Sequence, residues 1–257
     1  MTLAALGCLL AACAHREGVL TPPQRTVAPY ATGADVLWAV VPLRNESGTT
    51  DPDIAVISDK LVAALEEVEG VRAVPLNRTL QAMHALGLEQ GPKTPGDARK
   101  LAQAMGVDGV LVGSLTAWDP YTPTLGLALG LFARPGAMRE ETGEPLNPRD
   151  LTASGTGHQP APDRFSERPL SSVSEHLDAK NHQVLLDVKT YANGRSDPES
   201  ALHWERYVKS MALYEEFAMH YAVGRLIQSE ELRLAKGAST TDQAPPRRSG
   251  RDQAGSN

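Results

Sequence analysis

The side chains able to do chemistry are few and scattered. Both cysteines, Cys8 and Cys13, fall in LGCLLAACAH at residues 6–15, and no third follows in the 257-residue chain. The seven histidines are His15, His84, His158, His176, His182, His203 and His220, and no pair has the i, i+4 spacing of a zinc-binding HExxH helix. His176 and His182 flank a predicted turn, where they either approach each other or stand as two solvated turn residues. No GxSxG elbow, no Walker loop and no GxGxxG after the first strand is present, so hydrolase, nucleotidase and dehydrogenase readings lack their first requirement. Asp51, Asp53 and Asp59 gather at the start of the first predicted helix, where they fit the helix dipole better than acid/base work. Asn45-Glu46-Ser47 and Asn77-Arg78-Thr79 match the N-glycosylation pattern, and turn and cap roles explain both. No metal, cofactor or catalytic residue is expected.

The cysteines have a different use. LAALGCLLAA at residues 3–12 is far shorter than the roughly 20 apolar residues that span a bilayer. It reads as the apolar core of a signal peptide. It ends Leu10-Ala11-Ala12-Cys13, which resembles the lipobox of bacterial lipoproteins: a branched residue, two small ones, then the cysteine that is acylated as residues 1–12 are cut away. Cys8 follows Ala5-Leu6-Gly7, fits less well, and reads as part of the leader. The segment MTLAALG lacks the Lys or Arg with which signal peptides open, which implies an upstream start or an atypical leader. The alternative is a buried apolar strand or helix with two core cysteines. With Cys8 removed and Cys13 acylated, the domain has no thiol for a disulfide, a nucleophile or a metal. Each buried acyl CH₂ adds about 0.8 kcal/mol of membrane affinity, and two or more chains anchor stably. Ala14 stands where an Asp would direct retention in the inner membrane. The expected address is therefore the periplasmic face of the outer membrane, or the outer face of the inner membrane where no outer membrane exists.

The net charge of −6, with no long Lys/Arg run, lacks the basic footprint of a nucleic-acid binder. With 41% hydrophobic residues the chain can bury one good core. Aromatics are only 5%, yet Trp204, Tyr207, Tyr214, Phe217 and Tyr221 crowd one late segment, which should be core.

The elements that position these residues follow from periodicity. Residues 13–34 carry the lipidated Cys13 and a polar tether with Pro22, Pro23 and Pro29. Val36 to Leu43 is a strand buried on both faces, which implies a parallel sheet. A helix from Asp51-Pro52 to Gly70 carries Ile54, Ile57, Leu61, Leu65 and Val68, and Val71 to Leu76 is the second strand of a right-handed β-α-β crossover. Asn77 is expected to cap one helix and Thr94-Pro95 another, before a third strand from Val107 to Trp118. In TLGLALGLF, residues 124–132, leucines alternate with Gly126, Ala128 and Gly130. That pattern fits a strand with one bulky face and one bare face where another backbone or surface comes close, with an ordinary sheet strand or a short Ala/Leu helix as the alternatives. Residues 134–169 read as a mobile loop. Ser171 to Leu177 and Gln183 to Tyr191 read as two strands joined by a turn at DAKNH. After a cap at Asp197-Pro198, a long helix is expected to about Ala235, followed by a disordered tail over 236–257.

Three stretches, WAVVPLRNESG (38–48), ISDKLVAALEEVEGVRAVPL (57–76) and ARKLAQAMGVDGVLVGSLT (98–116), resemble the bacterial lipoprotein superfamily of the CsgG, LpoB and TolB amino-terminal-domain type. Its marks are a strand ending in an N-x-S-G turn, a second strand reading V-x-V-V/P, and a helix ending near G-V/A-D before V-V-G-S. The stretch HLDAKNHQVLLDVKTY is similar to the family's hairpin before the last helix. The resemblance implies a single α/β domain over 35–235, with a mixed sheet, packed helices and a long C-terminal helix. It also implies a non-catalytic binding or assembly module of a cell-envelope complex, with envelope proteins or other copies of itself as partners. The alternatives are a subunit of an oligomeric secretion channel and an envelope hydrolase. A channel needs barrel strands of about 9–11 residues, and only LGLALGL suggests one. A long reach across the cell wall needs a longer tether than this one.

Overall fold

The computed structural model describes residues 23, 25–30, 35–138, 168–197 and 200–242, the last six as backbone only. The leader, Cys13, residues 139–167 of the expected loop and residues 243–257 of the tail lie outside the described residues. The apolar run VLWAV forms β1 (Val36–Val40), and Val41 and Leu43 continue it as buried chain. On one side it pairs in parallel with β3 (Val71–Val74), on the other with β4 (Gly109–Asp119), as a strand buried on both faces requires. Between β1 and β3 runs α1 (Ile54–Glu66), capped by Asp53, whose carboxylate accepts from the Ala55 and Val56 amides. The cap is thus Asp53 rather than the Asp51-Pro52 pair.

The family-like motifs have structural jobs. In Arg44-Asn45-Glu46-Ser47-Gly48, Arg44–Asn45 is a two-residue strand, β2, paired in parallel with Ser114–Leu115. The Asn45 side chain then accepts from the Ser47 amide at 3.1 Å and donates to the Thr49 carbonyl at 2.7 Å, while Gly48 takes φ +82°. Gly106, in the left-handed region at φ +66°, ends α3 (Pro95–Met105). Asp108 then accepts from the Leu37 amide at 3.0 Å and pairs with Arg134 at 3.0 Å, locking β1 to β4. At Gly113 a Cβ would meet the Ala128 carbonyl oxygen at 2.6 Å, so only glycine fits between β4 and β5.

Thr124–Ala133 is a strand, β5, antiparallel to β4 and to β6 (Ser171–Asp178), and the sheet order is β3-β1-β4-β5-β6. Leu125, Leu127, Leu129 and Leu131 are buried in the main core beneath α1 and the last helix. On the other face α2 (Leu76–Ala85) and α3 cover Ala39, Val41 and Val110. Gly126, Ala128 and Gly130 lie on that second face, in register with exposed His176, Ser174 and Ser172.

Four expectations need correction. Asn77 lies inside α2, whose N-cap position is Pro75; fixed φ lets Pro75 lead into the helix. Gln183 to Tyr191 is no strand: His182–Ala192 forms α4, capped by Asn181, with Val184, Val188 and Ala192 as its buried stripe. The late helix does not begin at Asp197-Pro198. A 3₁₀ turn (His203–Glu205) and a short α5 (Arg206–Lys209) come first, Ser210 is extended at ψ 115°, and only then does α6 (Met211–Asp242) begin. It also runs past Ala235. Tyr214 and Phe217 are buried on its core face, and Tyr207 on α5, as their crowding required.

Candidate functional site

The predicted chemistry-bearing residues do not converge. Asp51, Asp53 and Asp59 are exposed along the start of α1. His176 is exposed on β6 and His182 is exposed in the first turn of α4. His84 sits 3.3 Å from Glu89 on the surface. Cys13, His15 and His158 lie outside the described residues.

Polar groups converge elsewhere, around His220. Helix α6 carries His220 one turn beyond Phe217 and beside Tyr191 of α4, whose ring centroid lies 5.0 Å away. Glu67, the C-cap of α1, reaches both His220 Nδ1 at 3.2 Å and Arg195 at 2.5 Å. The Arg195 guanidinium in turn lies 4.3 Å above the Tyr191 ring. Hydrogen bonds from His220 and Arg195 hold the Glu67 carboxyl below the usual carboxylate range. Burial pushes the Tyr191 phenol upward. These groups edge a cleft of about 460 Å³ whose aromatic walls are the half-buried Tyr191 and Tyr221, with buried Phe217 behind them. Arg25, Arg225, Asp187 and Glu231 also line it.

A carboxylate beside an imidazole is half of a nucleophile-activating array. The other half is not assembled here: the Thr190 hydroxyl that lines the cleft donates to the Leu186 carbonyl of its own helix at 3.0 Å. What the cleft offers is an aromatic surface with donors and acceptors of both signs, a surface suited to holding a side chain or ring. Among the described residues, no group of three or more His, Cys, Asp or Glu side chains is arranged to hold a metal.

One wall of this cleft was not legible in the sequence. Arg25, Thr26 and Val27 belong to the segment expected to be free tether, yet residues 26–30 form a docked strap. The Ala28 amide donates to the Glu69 carbonyl at 2.8 Å and the Glu69 amide to the Thr26 carbonyl at 2.9 Å, a parallel bridge beside β3. Tyr30 stacks edge-on against Trp38 at 6.2 Å and its hydroxyl donates to Glu230 at 2.9 Å. Glu230 is wholly buried and also accepts from Ser171 and, at 2.8 Å, from Arg233. Burial and the neighbouring Glu230 charge push the Tyr30 phenol upward. Arg233 further donates to the Met138 carbonyl at 3.2 Å, so strap, β6, α6 and the end of the β5 segment meet at one carboxylate. A second buried pair, Lys60 and Glu215 at 2.6 Å, ties α1 to α6, with Trp118 donating to Glu215 at 2.9 Å.

No protein family and no curated protein matches the chain. Solved structures do. Lipoprotein GNA1162 from Neisseria meningitidis is 18% identical, with 57% of this chain and 85% of that one covered, at a TM-score of 0.37. LpoB from E. coli is 24% identical, with 38% of this chain and 50% of that one covered, at a TM-score of 0.33; the aligned part is half of LpoB. A PelC dodecamer from Paraburkholderia phytofirmans is 18% identical, with 44% of this chain and 71% of that one covered, at a TM-score of 0.28. The chain is similar in structure to these proteins, and at such identities the likeness is one of fold alone.

Proposed function

We propose that this chain is a lipoprotein, acylated on Cys13 after removal of residues 1–12, that acts without catalysis as a binding or assembly module of a cell-envelope complex. Its place is the periplasmic face of the outer membrane. Leu10-Ala11-Ala12-Cys13 supports the anchor and Ala14 the address. Among the described residues, no helix is long and apolar enough to cross a membrane.

The observation that carries the reading is the strap. Because residues 26–30 are docked, only the twelve residues after Cys13 up to Arg25 remain as tether. Fully stretched they reach about 40 Å, against about 70 Å for the whole of residues 14–34. The cleft walled by Arg25, Thr26 and Val27 therefore stays near the membrane, where a partner in the envelope would meet it.

Growing cells with a fatty-acid probe tests this. The wild-type chain should carry label and sediment with membranes, and Cys13→Ala should lose both. Label retained by Cys13→Ala, or absent from the wild type, would overturn the proposal.

A further inference from the structure

The strap has a shallow seat. Its pairing with the turn between α1 and β3 is one parallel bridge of two bonds, from the Ala28 amide to the Glu69 carbonyl and from the Glu69 amide to the Thr26 carbonyl. The next bond of a parallel ladder would run from the Val71 amide to the Ala28 carbonyl, but the Val71 amide donates to the Val68 carbonyl at 3.2 Å. The pairing therefore stops after one step. Of the strap's side chains only Ala28, the smallest, is buried; Thr26, Pro29 and Tyr30 are half-buried and Val27 is 55% exposed.

The polar end of the strap can leave without stranding a charge. Arg233 holds Glu230 with two nitrogens, Nε to one carboxylate oxygen at 3.0 Å and Nη2 to the other at 2.8 Å, and Ser171 donates as well. When Tyr30 withdraws, the carboxylate keeps these donors and water meets the phenol, so one bond to a charged group is lost and no buried ion is left unpaired. Strand β1, by contrast, is paired along both edges and contributes Trp38 and Val40 to the main core. It cannot lift without opening the domain.

We propose that residues 26–30 form a releasable clasp, which lifts from the turn between α1 and β3 and from Glu230 as one unit while the rest of the domain stays folded. Lifting does two things at once. Arg25, Thr26 and Val27 wall the cleft beside His220 and Tyr191, so release takes that wall away. It also lengthens the tether from residues 14–25 to residues 14–34, and the stretched reach from about 40 Å to about 70 Å. A complete cleft thus goes with a domain held near the membrane, and an open one with a domain that ranges further. The change of reach rests on the anchoring proposed above; the release does not.

Amide hydrogen exchange tests the release on the full chain in detergent, carrying Cys8→Ser and Cys13→Ser so that no lipid and no native thiol takes part. The Ala28 and Glu69 amides report the strap, and the Val41 amide, bonded to the Leu111 carbonyl at 2.9 Å just past β1, reports the body. Corrected for intrinsic rates, Ala28 and Glu69 should exchange at least about tenfold faster than Val41. In low urea their rates should stay nearly constant while that of Val41 rises, because lifting the strap exposes little surface. A disulfide supplies the lock: a Cβ added at Gly70 lies 3.5 Å from the Ala28 Cβ, within the disulfide range of about 3.5–4.5 Å. Ala28→Cys with Gly70→Cys should keep the fast strap exchange when reduced and lose it when oxidised, by at least about tenfold relative to Val41. The strain of a side chain at φ +89° is common to both forms. Exchange of Ala28 and Glu69 at the rate of Val41 in the unlocked chain would overturn the proposal, because the strap would then open only with the whole domain. So would a difference in rates that oxidation leaves in place. Fatty-acid labelling at Cys13 reads the anchoring role separately.

Discussion

At the scale of single residues, Glu230 matters most. A carboxylate with no exposed surface is tolerable only because Tyr30, Ser171 and Arg233 all donate to it. Glu230→Ala leaves Arg233 facing a cavity and should lower the unfolding free energy by about 3 kcal/mol or more. Tyr30→Phe removes one bond to a charged group, a loss of about 1.5–3 kcal/mol, and should free residues 25–30 to proteolysis. Urea denaturation reads both, and equal stability of wild type and Glu230→Ala would refute the clamp. Glu67 is different because its side chain is 46% exposed. His220 and Arg195 hold its carboxyl below the usual value, so its contribution is complete above the unfolded carboxylate value and fades as pH falls through the lower, folded one. Glu67→Gln should flatten the loss of stability below about pH 4.3, by under about 1 kcal/mol given that exposure. Neither carboxylate was legible in the sequence. Glu67, Arg195 and His220 are far apart in the chain, and only the packing of α1, α4 and α6 brings them together.

At the scale of elements, strand β5 shows what periodicity can fix. Alternating Leu and Gly/Ala named a strand with a bulky and a bare face, and the leucines are core. The bare face has a local reason at Gly126, opposite the bulge between Leu115 and Ala117: a Cβ there would collide with the Thr116 hydroxyl and lie 2.9 Å from the Ala117 amide nitrogen. Gly126→Val should therefore cost about 1–3 kcal/mol, while Gly130→Ala, whose nearest new neighbour is Pro169 at 3.3 Å, should cost much less in thermal melts. Strands β1 and β4 were equally plain, because strands buried on both faces read as continuous apolar runs. Helix α4 was not. Val184, Leu185, Leu186 and Val188 form a short apolar run with two β-branched valines that fits a strand as well as a helix, and burial of every fourth residue decided it. The break at Ser210 and the docking of residues 26–30 were invisible for another reason. Neither a single extended serine nor a proline-containing segment carries a period, and the strap gains its place through Glu69, Trp38, Glu230 and the burial of Ala28 in the main core.

At the scale of the whole molecule, the proposed anchor at Cys13 is joined to the domain through the twelve residues up to Arg25. The sheet, its two helical coverings and the pairs Lys60–Glu215 and Arg233–Glu230 tie α1, the strap, β6 and α6 into one body. On the proposed anchoring, the strap keeps the cleft within a few tens of ångströms of the lipid. The anchoring depends on Cys13 being the first residue of the mature protein and carrying acyl chains. Intact-mass spectrometry of the protein extracted from membranes measures that directly. The account predicts the mass of a chain beginning at Cys13 plus two or three fatty acyl groups, with the added mass on the amino-terminal peptide. A chain that retains residues 1–12, or one with an unmodified Cys13, would contradict it.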